Sequence, residues 1–135
     1  MFEHRQLTED DYPTLLRWWS DNKFPPPEQG VLPLNGTGGI MVSVNGKDVC
    51  AGFIYDTNSS LAWLEFVVMD FYFKDRQLRE QAKTYLIERL CEMLPNKKAI
   101  FTSVKNDGLI NSLIDSGFVL TSKNTVEMIK PLTIN

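Results

Sequence analysis

The spacing of apolar residues along the chain switches several times between a helical period and an alternating period. Residues 2–7 predict a short first strand, and the acidic run that follows can cap a helix. Apolar side chains then recur at helical spacing up to Asp21 and Asn22, which predicts the first helix. Residues 24–39 are rich in proline and glycine and predict a surface loop. This loop either frames a pocket or presents a proline-rich ligand to a partner.

The middle of the chain predicts a meander of strands. Residues 40–44 and 49–55 flank Asn45 and Gly46, a pair that favours the positive φ angles of a tight hairpin turn. Residues 61–69 are apolar on both alternating faces, which is typical of a central strand. The sheet therefore begins as antiparallel neighbours.

The second half returns to helical spacing and then to strands. Residues 75–93 predict the longest helix, and residues 99–104 predict a strand that runs parallel to the central one. A short helix follows, with Asn106 or Asp107 as its cap and Gly117 as its stop, and residues 118–120 and 125–129 predict two closing strands. The order β-α-β-β-β-α-β-α-β-β predicts an α/β fold with a mixed sheet, in one domain over residues 1–135.

Composition narrows the classes of partner. The chain has 135 residues and a formal net charge of −3, so we expect no nucleic acid partner. Two cysteines and one histidine provide neither a disulfide framework nor a metal site, so we expect reduced thiols and no metal. The sequence shows no signal peptide and no long apolar run, which predicts a cytoplasmic protein without a membrane partner.

One motif in the second half carries a family resemblance. Val104-Lys105-Asn106 leads into a short helix, and Gly117-Phe118 begins eleven residues after the Asn. With the order of elements, this resembles the GNAT superfamily of acyl-CoA-dependent N-acetyltransferases over nearly the whole chain. The carboxyl-terminal half is also similar to small, divergent GNAT-like proteins of bacteriophages. The resemblance implies a GNAT-like fold and acetyl-CoA as the cosubstrate.

The resemblance also implies a cofactor site. The pantetheine arm would pair as an extra strand with the backbone of the central strand, where that strand separates from its parallel neighbour. The pyrophosphate would lie at the amino end of the helix at residues 75–93, with Arg76 and Arg79 adding positive charge. Asn106 would hydrogen-bond the arm or cap the helix after it. The residues of the central strand in this site are Phe66, Val67, Val68 and Met69.

The sequence departs from the family at the phosphate turn. The family pattern there is Gln or Arg, then any two residues, then Gly, then any one residue, and finally Gly or Ala. With Gln77 in first place, Glu80 takes the glycine position and Ala82 the last one. A shift by one residue places Gln81 at the glycine position instead, so neither register restores it. The carboxylate of Glu80 would repel a pyrophosphate. The alternative is an ordinary amphipathic helix in which Glu80 lies near Lys83.

Acyl transfer to an amine requires a general base, and Glu65 is the candidate because it interrupts an apolar strand. Its alternative role is a carboxylate at a sheet edge or one paired with Arg5 or His4. The family's oxyanion donor is a backbone N–H, here at Val67 or Val68. Where the family often has a tyrosine as the acid for the thiolate, this chain has Leu113. Tyr72 and Tyr85 are the candidate substitutes.

Three functions follow from these residues. The first is a divergent N-acyltransferase that moves an acetyl group from acetyl-CoA to an amine of a small molecule or protein. The second is an inert GNAT-like binding or structural module, for example one encoded by a phage, and the third is a protein that keeps CoA without turnover. The predicted edge strand at residues 125–129 also offers pairing in a homodimer.

Overall fold

A five-stranded mixed sheet forms the centre of the protein in a computed structural model that describes residues 1–132. Its strands lie side by side in chain order. The first four are antiparallel to their neighbours, and the fifth is parallel to the fourth. The strands are β1 (Phe2–Gln6), β2 (Gly39–Val44), β3 (Lys47–Asp56), β4 (Leu61–Met69) and β5 (Ala99–Phe101). The predicted mixed α/β fold is confirmed.

Three α-helices cover the two faces of this sheet: α1 (Tyr12–Asp21), α2 (Arg76–Glu92) and α3 (Asp107–Asp115). On one face, Leu86 and Leu90 of α2 pack against the sheet with Leu64 of β4. On the other face, α1 places Trp19 against Phe53 of β3. Because helices cover β4 on both faces, its apolar residues do not alternate with polar ones, as expected for a central strand.

The local signals of the turns and caps are confirmed. Asn45 and Gly46 have φ angles of 51° and 83° and close the hairpin between β2 and β3. The side chain of Asn106 accepts a hydrogen bond from the backbone N–H of Leu109 and caps α3. Gly117, with a φ of 99°, ends that helix in the left-handed conformation.

The carboxyl end differs from the sequence expectation. Strand β5 ends at Phe101, and residues 118–132 contain no strand, so neither predicted closing strand is present among the described residues. Strand β5 has three residues, so its edge offers few backbone N–H and C=O groups with which a further strand could pair. The alternating pattern of residues 125–129 indicates which side chains a strand would turn to each face, but it does not supply a partner edge. The homodimer that this edge suggested therefore stays a prediction.

Both cysteines are free, Cys50 in the core and Cys91 half-buried, and burial raises the pKa of each thiol. Within residues 1–132, no helix combines the length and apolar character needed to cross a membrane. The same residues hold no group of three or more metal-ligating side chains.

Candidate active site

Strands β4 and β5 separate part of the way along the sheet. Their ladder runs from the pair Leu61 and Ala99 to the pair Trp63 and Phe101, and it ends there. Residues 102–106 continue from β5 outside any strand, while β4 continues to Met69. The edge of β4 that faces this gap is therefore open from residue 64 onward, and this is the separation that the resemblance implied.

A β-bulge lies in β4 beside the gap. Val68 is paired with Ala51 and Glu65 with Phe53, so Phe66 and Val67 together oppose the single residue Gly52. Phe66 has a φ of 58°, which is a rare conformation for an aromatic residue and costs on the order of 1–3 kcal/mol. The bulge turns the backbone of β4 out of its regular pattern at the open edge.

Packing on the α1 face holds Phe66 in this conformation. Its ring contacts Trp19 edge to face, with centroids 6.3 Å apart, and Phe24 in the same way at 6.4 Å. Tyr55 lies against it at 6.4 Å. The surrounding aromatic rings therefore stabilise a backbone geometry that the residue alone disfavours.

Glu65 precedes the bulge and lies at the apex of the gap. Its carboxylate oxygen Oε1 accepts a hydrogen bond of 3.3 Å from the backbone N–H of Ser103. It does not pair with Arg5 or His4, because Arg5 binds Asp11 at 2.8 Å and His4 is bonded to Tyr85 at 2.9 Å. Within residues 1–132 the Glu65 carboxylate forms no ion pair.

The surroundings of Glu65 raise its pKa. Burial is the main cause, because it disfavours the charged carboxylate, and repulsion from Glu127 acts in the same direction. The N–H of Ser103 and the side chain of Trp63 oppose these effects without cancelling them. A carboxylate with a raised pKa and no cationic partner is suited to accept a proton from a bound amine.

Tyr55 lies on the same face and stays protonated at neutral pH. Burial and the charge of Glu65 raise its pKa to about 12. Its hydroxyl donates a hydrogen bond of 2.9 Å to the carbonyl of Val31 in the proline-rich loop. Tyr12 donates in the same way to the carbonyl of Pro27 at 2.7 Å. The two tyrosines hold this loop against α1 and β3, and its role of framing a pocket stays a prediction.

The amino end of α2 carries its own carboxylate. The Asp75 side chain accepts a hydrogen bond of 3.1 Å from the N–H of Leu78, and the N–H of Arg79 bonds to the carbonyl of Asp75 at 2.8 Å. Of the N–H groups in the first turn, those of Arg76 and Gln77 are left for another acceptor. Arg76 and Gln77 are both exposed at this position.

Arg79 is tied to the loop between β4 and α2. Its guanidinium donates to the carbonyls of Asp70, at 3.0 Å, and Phe73. These bonds fix the course of residues 70–75 from the open edge of β4 to the amino end of α2. Arg79 thus holds the loop next to the expected phosphate site. The exposed side chain of Arg76 is free to turn toward a ligand.

Three residues of the expected phosphate turn lie inside the helix. The backbone N–H groups of Glu80, Gln81 and Ala82 fall in the second turn of α2, where the helix itself uses them. Ala82 is fully buried, and Glu80 pairs with Lys83 at 3.0 Å. Glu80 also accepts a hydrogen bond from Ser112 of α3, so its carboxylate faces α3 and not the amino end of α2.

The structure places the other candidate side chains as follows. Asn106 uses Oδ1 as the cap of α3, so its amide N–H groups are the part available to another acceptor. Leu113 is buried in the core. Tyr85 contacts β1 through His4, at the sheet edge opposite β5, which separates it from the gap. Tyr72 is 68% exposed in the loop that follows β4.

Sequence reasoning did not find Ser103 or Glu127. The backbone N–H of Ser103 donates a hydrogen bond to Glu65, and the charge of Glu127 raises the pKa of Glu65. Both residues lie outside the regular strands, where no spacing in the sequence marks their relation to Glu65. The position of Trp63 beside Glu65 follows from the strand alternation of β4.

The sequence matches no family model and no curated protein. Solved structures with the same fold include the ribosomal-protein-S18-alanine N-acetyltransferase of Escherichia coli, with a TM-score of 0.66 and 18% identity over 90% of this chain and 80% of that one. An aminoglycoside acetyltransferase from an uncultured soil metagenomic sample has a TM-score of 0.63 and 15% identity over 98% and 97% of the two chains. Glucosamine-6-phosphate N-acetyltransferase of Arabidopsis thaliana has a TM-score of 0.57 and 14% identity over 98% and 99%. The chain therefore has the fold of GNAT-type acetyltransferases.

Proposed function

We propose that the protein transfers an acetyl group from acetyl-CoA to a primary amine. The observation that carries this proposal is the half-buried Glu65 carboxylate, which has a raised pKa and, among residues 1–132, no ion-pair partner at the apex of the open β4 edge. A purely structural carboxylate in such a position would be expected to have a cationic partner. A substrate ammonium group would supply that partner.

The open edge of β4 fits an extended amide-bearing arm. Between Leu64 and Met69 the strand has no neighbour on the β5 side, and a ligand that pairs there as a strand satisfies its backbone groups. The bulge at Phe66 and Val67 lies within this stretch. We assign the backbone N–H of Val67 or Val68 as the donor to the oxygen of the reacting thioester.

The α2 end of the gap fits a phosphate group less well. The N–H groups of Arg76 and Gln77 and the Arg76 guanidinium attract an anion, whereas the Asp75 carboxylate repels it. We propose that the pyrophosphate lies at this end and that Asp75 weakens its binding. Glu80, Gln81 and Ala82 offer no backbone N–H to the pyrophosphate, because the helix uses these groups.

The proposed reaction balances as follows. Glu65 removes one proton from the bound ammonium group, and the amine nitrogen then attacks the thioester carbon. The new C–N bond forms, the C–S bond breaks, the amide nitrogen gives its second proton to a water molecule, and Glu65 returns its own proton to solvent. The sulfur leaves as a thiolate and takes a proton from water, since Leu113 stands at the position of the family's tyrosine. The products are an N-acetylated amine and free CoA.

An inert binding module is the second candidate. The carboxylate of Asp75 at the α2 end and the buried Leu113 both favour it, because each removes a feature that turnover normally uses. The free thiols agree with a reducing compartment, and we propose a cytoplasmic location for either function. The likeness to phage-type proteins stays a prediction from the sequence.

Titration calorimetry with acetyl-CoA, followed by a thiol-release assay with a panel of amines, separates these candidates. Micromolar binding together with amine-dependent release of CoA supports the enzyme. Binding without release under any amine leaves a protein that holds CoA without turnover. No binding up to millimolar acetyl-CoA contradicts the proposal and leaves the inert module.

A further inference from the structure

Several aromatic side chains lie on the same sheet face as Glu65, which α1 only partly covers. Trp63 lies two residues before Glu65 on the same strand, and Phe101 is its partner across the ladder, with ring centroids 5.1 Å apart. Tyr55 is the partner of Trp63 on the other side. Phe24 reaches the bulge from the carboxyl end of α1.

These rings are unusually exposed for their size. Trp63 is 37% exposed, Phe101 45% and Phe24 46%. Single exposed apolar residues are ordinary on protein surfaces, but the neighbouring rings of Trp63 and Phe101 offer a ligand a larger apolar surface beside a half-buried carboxylate. The ring faces of tryptophan and phenylalanine attract both other aromatic rings and cations.

The charged group that shifts the pKa of Glu65 is negative, like Glu65 itself. Glu127 lies close enough to raise its pKa, and neither lysine nor arginine is among the groups that shift it. Glu65 also has no ion pair within residues 1–132. A ligand group at this place is therefore favoured if it is cationic and disfavoured if it is anionic.

We propose that the acceptor is a small primary amine carried on an aromatic ring by a short alkyl chain. The ring stacks on Trp63 and Phe101, and the ammonium group meets Glu65. Positions two apart on a strand are about 6.6 Å apart, and a ring with a two-carbon amine chain spans a distance of that order. The Glu65 carboxylate disfavours amines that carry a phosphate, because the two negative charges repel each other. This inference rests on the proposed function, since it names the acceptor of the same site.

Phenethylamine tests the inference against two matched amines. Cyclohexylethylamine keeps the chain and the apolar ring but lacks the aromatic face, and glucosamine-6-phosphate carries an anionic group. We expect phenethylamine to have a kcat/KM at least tenfold above either one in the thiol-release assay. Equal or better use of cyclohexylethylamine or glucosamine-6-phosphate would overturn the inference.

Two variants connect the preference to the rings. Trp63→Ala is expected to raise the KM for phenethylamine about tenfold and to leave the KM for acetyl-CoA unchanged, because Trp63 lies on the acceptor side. Leu16→Ala, at an exposed position of α1, is the control and is expected to change neither constant. An unchanged KM for phenethylamine in Trp63→Ala contradicts the placement of the ring.

Binding measured without turnover keeps this inference separate from the proposed function. Phenethylamine is titrated into the CoA-saturated protein and its variants by calorimetry. Binding that weakens in Trp63→Ala supports the aromatic acceptor even if no acetyl group is transferred. Transfer to other amines, with no binding of phenethylamine, overturns the acceptor class and leaves the acetyltransferase in place.

Discussion

The backbone N–H of Ser103 donates a hydrogen bond to the Glu65 carboxylate, 3.3 Å from Oε1, across the point where β4 and β5 separate. In a continuous parallel ladder this N–H would bond to a backbone carbonyl of the neighbouring strand. Here the side chain takes the place of that carbonyl. The carboxylate is consequently fixed at the apex of the gap and keeps lone pairs for a second donor.

Replacement of the base is the most direct test of this arrangement. Glu65→Gln keeps an acceptor for the Ser103 N–H but cannot take up a proton. We expect kcat to fall by about 10²–10⁴ while the Kd for acetyl-CoA stays within twofold. Steady-state kinetics and calorimetry measure the two quantities. An unaffected kcat would remove Glu65 from the reaction, and a large loss of acetyl-CoA binding would make its role structural.

The pH profile tests the same carboxylate without removing it. Since the base is active when deprotonated, a raised pKa moves the acidic limb of kcat/KM to a pH above the usual range for glutamate. Glu127→Gln removes the repulsion that helps to raise this pKa, so the limb is expected to move to lower pH. Glu3→Gln, an exposed change on β1, is the control and should leave the limb in place. A limb unaffected by Glu127→Gln contradicts the repulsion between the two carboxylates.

Stability depends on pH through the same group. The pKa of Glu65 is higher in the folded protein than in the unfolded chain. The neutral carboxyl group therefore contributes its full stabilisation below the pKa of the unfolded chain, and this stabilisation is lost as pH rises through the pKa of the folded protein. Glu65→Gln is therefore expected to melt at a higher temperature than the parent protein at pH 7, with the difference closing toward pH 4. Thermal unfolding at the two pH values measures it, and a lower melting temperature at pH 7 would contradict the burial of an unpaired charge.

The elements with strong local signals were predictable from the sequence. The bounds of β4 agree with prediction because nine residues that are apolar on both faces have few alternatives to a central strand. Asn45 and Gly46 fix their hairpin through backbone conformation, and Asn106 fixes the start of α3 through a single side-chain hydrogen bond. In each of these cases the determining interaction lies within a few residues of the chain.

The parts that depend on distant segments were not predictable. Residues 125–129 have an alternating pattern, yet a strand requires a partner edge, and β5 provides three residues. The hydrogen bond from Ser103 to Glu65 and the repulsion between Glu127 and Glu65 follow from the path of the chain outside its strands. Arg79 was expected to attract phosphate because of its charge, whereas its hydrogen bonds to two loop carbonyls depend on how residues 70–75 fold back on α2.

Arg79 and Arg76 differ in what they contact, and this difference is testable. Arg79→Met removes hydrogen bonds to the carbonyls of Asp70 and Phe73, so the loop loosens and the melting temperature falls. Arg76→Met removes an exposed charge at the α2 end and should weaken acetyl-CoA binding about two- to fivefold with little change in stability. Thermal unfolding and calorimetry on both variants measure these effects. If Arg79→Met instead weakened acetyl-CoA binding and Arg76→Met lowered the melting temperature, Arg79 would contact the ligand and Arg76 would hold the loop.

Gly52 tests the bulge from the opposite strand. A Cβ atom at this position would lie 3.0 Å from Leu90 Cδ1 and 3.1 Å from Val67 Cγ2, so Gly52→Ala presses on the bulge that presents the proposed oxyanion donor. We expect a loss of about 1–3 kcal/mol in the free energy of unfolding, together with a lower kcat. Gly30→Ala is the matched control, because nothing lies within 4 Å of its added methyl group. Denaturant unfolding and kinetics measure both variants, and parent-like values in Gly52→Ala would mean that the bulge tolerates displacement.

The carboxylate at the amino end of α2 gives the sharpest test of where the pyrophosphate binds. Asp75→Ser keeps a side-chain cap for the N–H of Leu78, so the helix is preserved, but it removes the negative charge beside Arg76 and Gln77. If this helix end holds the pyrophosphate, the affinity for acetyl-CoA should rise about two- to fivefold, and it should rise less at high salt. Asp10→Ser, an exposed change before α1, should leave the affinity unchanged. Calorimetry at two ionic strengths measures the effect. Weaker binding in Asp75→Ser would mean that the Asp75 carboxylate itself contacts the ligand, and unchanged binding would move the pyrophosphate away from this helix end.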